Sequence, residues 1–191
     1  MKYDIIFAGV GGQGVLSMAA VIGRAAAAEG LAARQSEVHG MAQRGGAVTA
    51  HLRLSDVPTA SDLIPRGSAD LILSLEPVEA LRSLEYLSPQ GVLISSSNAM
   101  INVPDYPDEL ELLQRVRAAA PRSLLVDAEG LAREAGDVLA CNSVMVGAAS
   151  KVLPLRIESL EAALAACFAR KGESVIAINR AAFRAGCAAA T

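Results

Sequence analysis

Cysteine is scarce in this 191-residue chain, which has three, Cys141, Cys167 and Cys187. Their odd number and wide spacing argue against a disulfide framework, and against an iron-sulfur cluster ligated by this chain alone. Histidine is scarcer still. His39 and His51 do not have the spacing of a metal site. Tryptophan is absent and aromatic residues make up 3% of the chain, so the core must be built from aliphatic side chains. A basic surplus is also missing. The 17 Lys and Arg residues face 20 Asp and Glu, a formal net charge of -3, and this does not supply the positive face that nucleic-acid binding needs. Long apolar runs are lacking: the stretch from Val15 to Ala28 is interrupted by Arg24 and closed by Glu29, short of the roughly 20 residues of a spanning helix. No signal peptide is expected, because Lys2 and Asp4 precede a strand-like run and glycines stand where a cleavage site would be needed. A cytoplasmic setting follows as the expectation.

What is present is 52% hydrophobic residues, much of it alanine, which excludes whole-chain disorder and suits one domain with closely packed helices. Strand and helix signals alternate. An apolar run, Tyr3 to Gly9, reads as a buried strand and is followed by an Ala-rich helix from Val15 to Glu29. Further strands are expected at Leu31 to Val38, Ala47 to Leu54, Ala69 to Leu75, Gly91 to Ser97 and Ser123 to Val126. Helices are expected from Pro77 to Leu87 and from Glu109 to Ala120, and the chain from Ala128 onward reads as mainly helical with breaks near Pro154 and Gly172. This order predicts a three-layer, Rossmann-like α/β domain with a mostly parallel sheet and a mainly helical C-terminal third, and no linker divides residues 1–191.

Two segments carry candidate chemistry. Gly9-Val10-Gly11-Gly12-Gln13-Gly14 has GxGxxG spacing between a strand and a helix, where glycines permit a tight turn and free N-H groups can meet a phosphate. Gln13 is positioned to point an amide across the same opening. No Walker lysine follows, so nucleotide hydrolysis is not suggested, and Glu37 falls later than the acid that would hold a dinucleotide ribose. A phosphate-bearing ligand, a structural turn and a turn packed on a partner chain all stay open for this loop. The second segment runs from Ser36 to Gly46. It brings Glu37, His39, Gln43 and Arg44 beside Gly45 and Gly46. Arg44 suits a bidentate contact with phosphate or carboxylate, and Glu37 could orient His39 or pair with Arg44. A ligand-facing or partner-facing loop is the favoured reading. No neighbouring Ser or Cys marks a nucleophile, so no catalytic residue is assigned, and no metal site either. His51 is expected to be packed or hydrogen-bonded within a strand, and Asp4, Asp70 and Asp127 to be solvated or capping acids. Asn98 and the serines before it could serve the same sheet edge. Asn142 is expected to cap the helix that follows it, and Gly147 to let that helix approach a neighbour.

The two loops in order, followed by Asn142-Ser143-Val144-Met145-Val146-Gly147, resemble the gamma subunit or domain of the 2-oxoacid:ferredoxin oxidoreductases, and within them the smaller subunit of the indolepyruvate type. That resemblance covers nearly the whole chain. It implies a subunit of a larger enzyme that decarboxylates a 2-oxoacid oxidatively, uses coenzyme A and passes electrons to ferredoxin. Thiamine diphosphate, Mg2+ and iron-sulfur clusters would belong to a large alpha subunit, leaving no tightly bound cofactor on this chain. Carried over by residue, Gly9, Gly11, Gly12, Gln13, Gly14 and Arg44 become candidates for contact with CoA or its phosphates. Glu37, His39, Gln43, Arg44, Gly45 and Gly46 become a loop facing the partner or the active site. The isolated subunit is expected to be inactive and could form a homodimer. A stand-alone dinucleotide- or acyl-CoA-binding protein and a small NAD-dependent reductase are the alternatives.

Overall fold

The computed structural model describes residues 1–39, 45–101 and 105–190. Strand β1 (Lys2–Val10) lies inside a six-stranded sheet with β2 (Ala32–His39), β3 (Ala47–Ser55), β4 (Ala69–Ser74), β5 (Leu87–Ser96) and β6 (Ser123–Val126). The order across the sheet is β2-β3-β1-β4-β5-β6. Helix α1 (Val15–Ala28) follows β1, and α2 (Pro77–Arg82) and α3 (Glu109–Ala118) flank β5 in sequence. The C-terminal third carries α4 (Ala128–Ala135), α5 (Cys141–Ala149), α6 (Ile157–Phe168) and α7 (Glu173–Ala189), with the expected breaks near Pro154 and Gly172.

The layering follows from side chains alternating across each strand. Ile5, Phe7, Leu71, Leu73, Val92 and Ile94 face the core shared with α1 and α4 to α7. Their neighbours Ile6, Ile72 and Leu93 face a smaller cluster with Ala80 of α2 and Val116 of α3. Two helical layers therefore enclose the sheet, as the alternating pattern predicts.

The expectation of a mostly parallel sheet needs correction: the sheet is mixed. β4, β5 and β6 continue parallel from β1, whereas β3 runs antiparallel to both β1 and β2. The cause lies in chain length. Only residues 40–46 join β2 to β3, and a parallel crossover needs a dozen or more. β3 must turn straight back, and it inserts between β1 and β2. Among smaller differences, the helix expected from Pro77 to Leu87 ends at Arg82 and gives way to a 3-10 turn at Leu84–Tyr86, and β5 starts already at Leu87.

Asp4 is not a solvated acid. It is fully buried beside the Arg53 guanidinium (3.0 Å) and also pairs with Lys2 (2.8 Å), tying β1 to β3. Asp70 accepts the Asp4 N-H, and Asp127 caps α4 through the Gly130 N-H. His51 is buried within β3, as expected, and its Nδ1 accepts from the Ile64 N-H. Among the described residues no helix is long and apolar enough to cross a membrane.

Candidate ligand-binding site at the glycine loop

Strands β1, β4, β5 and β6 run in the same direction, so the loops after them meet at one edge of the sheet, where open α/β sheets place ligands. The glycine loop lies there, and two of its glycines answer to conformation. Gly12 and Gly14 have φ of 105° and 76°, in the left-handed region. A Cβ at Gly9 would lie 2.7 Å from the Val15 side chain, so the loop can fold back over the strand only because nothing is there.

Gln13 does not point across the opening. Its Oε1 accepts the Val10 N-H (2.8 Å) and its Nε2 donates to the Leu75 carbonyl (3.3 Å), so the amide is used internally to pin the loop to the ends of β1 and β4. Asn142 does not cap its own helix either. Ala140 holds that place, because a 3-10 turn at Val138–Ala140, capped by Asp137, runs directly into α5. The Asn142 Nδ2 is left to reach the glycine loop and donates to the Gly14 carbonyl at 3.2 Å. That bond fixes the orientation of the amide. Its Oδ1 is buried with no hydrogen-bond partner among the described residues, and such an acceptor costs about 1–3 kcal/mol. The first turn of α1 receives no side-chain cap and contains no acid, so its N-terminus stays electropositive.

The two motif segments are joined to each other. The Gly11 N-H donates to the Gly46 carbonyl (2.8 Å) and the Gly45 N-H to the Gly11 carbonyl (3.3 Å). Gly45 has φ of 76° with open space where a Cβ would be. Glu37 is exposed on β2 and accepts from Gln35 Nε2 at 2.8 Å. His39 ends β2 opposite Val48. Gln43 and Arg44 lie outside the described residues, as does the side chain of His39, so the expected contacts of Glu37 with His39 or Arg44 lie outside them too. Because β3 separates β2 from β1, Glu37 is also one strand farther from the glycine loop than a ribose-holding acid would be.

Beside Gly12 the loops enclose a cleft of about 200 Å3. Gln13, Ser96, Asn98 and Glu129 line its polar side, and Leu75, Val138 and Leu139 its apolar side. Asn98 is the knot of the polar side. Its Oδ1 accepts from the Ser96 hydroxyl (2.8 Å) and the Glu129 N-H (2.9 Å), and its Nδ2 donates to Asp127 (2.9 Å). That amide, with the Gly130 N-H and Arg133 nearby, holds the Asp127 carboxyl below the usual range. Cys141 also borders the cleft, where burial and the Glu129 carboxylate push its thiol up to about 11. A thiol protonated at neutral pH is neither a ready nucleophile nor a ready metal ligand. Glu129 pairs with Arg133 at 2.5 Å, and no cation lines the described part of the cleft. Its described lining suits an uncharged polar chain with an apolar side. Among the described residues no group of three or more His, Cys, Asp or Glu side chains is placed to hold a metal ion. Asn98 and Ser96 stand at the sheet edge expected from the sequence, whereas Glu129, Val138 and Leu139 went unmarked in it. Their signal is position alone, at strand ends or in the turn before α5.

The chain matches the family model described as pyruvate ferredoxin/flavodoxin oxidoreductase over residues 4–189. It is 40% identical over 172 residues to the indolepyruvate oxidoreductase subunit IorB of Archaeoglobus fulgidus, covering 86% of this chain and 85% of that one. The crystal structure of a keto/oxoacid ferredoxin oxidoreductase gamma subunit from Geobacter sulfurreducens superposes with a TM-score of 0.73 at 26% identity, covering 98% of each chain. The 2-oxoglutarate:ferredoxin oxidoreductase of Magnetococcus marinus, solved with 2-oxoglutarate, coenzyme A and succinyl-CoA bound, gives a TM-score of 0.77 at 22% identity, covering 99% of this chain and 31% of that one. At that identity the likeness is one of fold.

Proposed function

The chain belongs to the pyruvate ferredoxin/flavodoxin oxidoreductase family as a small, gamma-type subunit closely related to IorB, and from that premise we propose that it completes a thiamine-dependent enzyme acting on indolepyruvate or a related aryl pyruvate. The reaction converts the aryl 2-oxoacid and CoA to aryl-acetyl-CoA and carbon dioxide, and two electrons pass to ferredoxin. The observation that carries this reading is the 40% identity to an indolepyruvate oxidoreductase subunit over most of both chains. Thiamine diphosphate, its Mg2+ and the iron-sulfur clusters reside on a large partner subunit. This chain supplies a rigid edge to the active-site region, contributes no catalytic residue, and works in the cytoplasm.

The role of its own residues is binding. The uncapped N-terminus of α1, Gly12 at the rim of the cleft and Arg44 would meet CoA, and the loop from Glu37 to Gly46 faces the partner or the active-site entrance. The narrow cleft of mixed polarity beside Gly12 supports a ligand at this edge. Co-expression with the large thiamine-binding chain, followed by a ferredoxin-reduction assay, tests the reading. The isolated chain should be inactive, and the complex should need CoA and prefer aryl over aliphatic 2-oxoacids. Activity of the chain alone, or an aliphatic preference, would overturn the assignment. Within the complex, Arg44→Ala should raise KM for CoA at least about tenfold, the scale of one charge-assisted contact. An unchanged KM would remove the ligand role of Arg44 and leave the subunit assignment standing.

A further inference from the structure

A second concave surface lies between α1 and the end of α6 and shares no lining residue with the glycine-loop cleft. It is a groove of about 630 Å3, within the usual size of a small-molecule site. Its floor is small and apolar, with Ala20, Val21 and Ala166, and Ser17 offers a hydroxyl at one end. Arg24, Arg170 and Lys171 line it, and no acid does. Among the described residues none of the three pairs with a carboxylate, whereas most of the other cations do. Lys171 Nζ lies over the Phe168 ring, 5.5 Å from its centroid.

Helix electrostatics explain two of these charges. Arg170 and Lys171 occupy the 3-10 turn at Ala169–Lys171 that continues α6, where a cation offsets the negative end of the helix. Arg24 has no such account. It sits in the third turn of α1, is the only charged residue of that helix, and has alanine at both i-4 and i+4, so no intrahelical partner is available. In a protein of net charge -3, three unpaired cations converging on one concave, alanine-floored surface form a local field of opposite sign.

We propose that this groove is an anion site for the diphosphate group of a nucleotide-type ligand. Three cations offset the two charges of a diphosphate diester or the three of a monoester, and the small floor lets such a group approach both helices. The concavity favours a compact anion over the acidic face of a partner protein. The inference stands apart from the CoA contact at the glycine loop and does not need it.

The test is calorimetric titration of the full-length chain with inorganic pyrophosphate, ADP and CoA at low and at physiological ionic strength. Pyrophosphate and ADP should bind, less tightly as salt rises. Arg24→Ala and Lys171→Ala should each weaken binding about tenfold, and Arg117→Ala, an exposed cation on α3, should change nothing. All these side chains are exposed, so circular dichroism should show the fold unaltered. Binding of CoA in competition with pyrophosphate would name CoA as the carrier of the phosphates, and failure to compete would name a free nucleotide, both within the proposal. Absence of pyrophosphate and ADP binding would overturn it. So would an unaltered affinity in the R24A/R170A/K171A variant, or an effect of that variant confined to assembly with the large subunit.

Discussion

Gln13 and His51 spend their side chains on the backbone, and each gives a measurable consequence. Gln13→Ala would leave the Val10 N-H and the Leu75 carbonyl without partners. A loss of about 1–3 kcal/mol is expected in denaturant unfolding, with faster amide exchange at Gly11 to Gly14. Gln13→Glu keeps the acceptor and loses the donor, so it should fall between the two. His51 is buried, receives the Ile64 N-H at 3.0 Å, and stands edge-on to Tyr86. Burial, reinforced by Arg53, lowers its pKa, so the native state holds it neutral. The unfolded chain takes up the proton at the ordinary value of about 6.5 and the folded chain only at lower pH. Stability from this residue is therefore complete above about pH 6.5 and declines as the pH falls towards the lowered native value. Unfolding midpoints measured from pH 7.5 to 5.5 should show that decline, and His51→Asn should flatten it. The place of His51 in a strand predicted a packed side chain, whereas the role of Gln13 was not legible beyond the residue type. Gln13 in a glycine loop reads as an outward amide, and only the Leu75 carbonyl, 62 positions away, turns it inward.

At the scale of elements, α5 and α7 cross at a distance that only glycine permits. A Cβ at Gly147 would meet the Phe183 carbonyl oxygen at 2.0 Å, and one at Gly186 the Val144 carbonyl oxygen at 2.0 Å. Each glycine seats against the backbone of the opposite helix, so Gly147→Ala and Gly186→Ala should each destabilise by about 1–3 kcal/mol or more. Gly23, in the middle of α1, is the contrast. Its added methyl would find ordinary contacts at 3.8 and 3.9 Å, so Gly23→Ala should raise stability by about 0.5–1 kcal/mol. Thermal or denaturant midpoints of the three variants decide both claims. The sequence pointed to Gly147 as a place of close approach but not to Gly186, since a glycine late in a helix reads as a stop signal. The reversal of β3 was within reach of the sequence. Both strands and the short segment between them were visible, and connection length alone dictates antiparallel pairing. The repeated strand-helix pattern masked it.

For the whole molecule, one sheet supplies both cores. Successive residues of β1, β4 and β5 point to opposite helical layers, so neither layer can unfold and leave the other intact. The isolated chain should therefore unfold in a single transition, with coincident far-ultraviolet dichroism and tyrosine fluorescence. Tyr3 packs against one core and Tyr86 against the other, so the probe reads both. Two separate transitions would show that the helical C-terminal third is autonomous. At this scale the sequence was most informative: three layers and the helical end followed from periodicity. The candidate site was half legible. Periodicity placed its two loops at one sheet edge. It could not find the backbone bonds that join Gly11 to Gly45 and Gly46, or the amide that arrives from 128 positions away, because those depend on how distant elements pack.

Asn142 stands at the start of the helix that α7 crosses at Gly147, and its amide holds the Gly14 carbonyl. Helix α7 thus sets the seating of the glycine loop through α5. The glycine motif lies far ahead of α7 in the chain, yet it would reach its working shape only once α7 has docked. A chain cut short before α7 would carry the motif intact in its sequence and lack the arrangement that the motif requires.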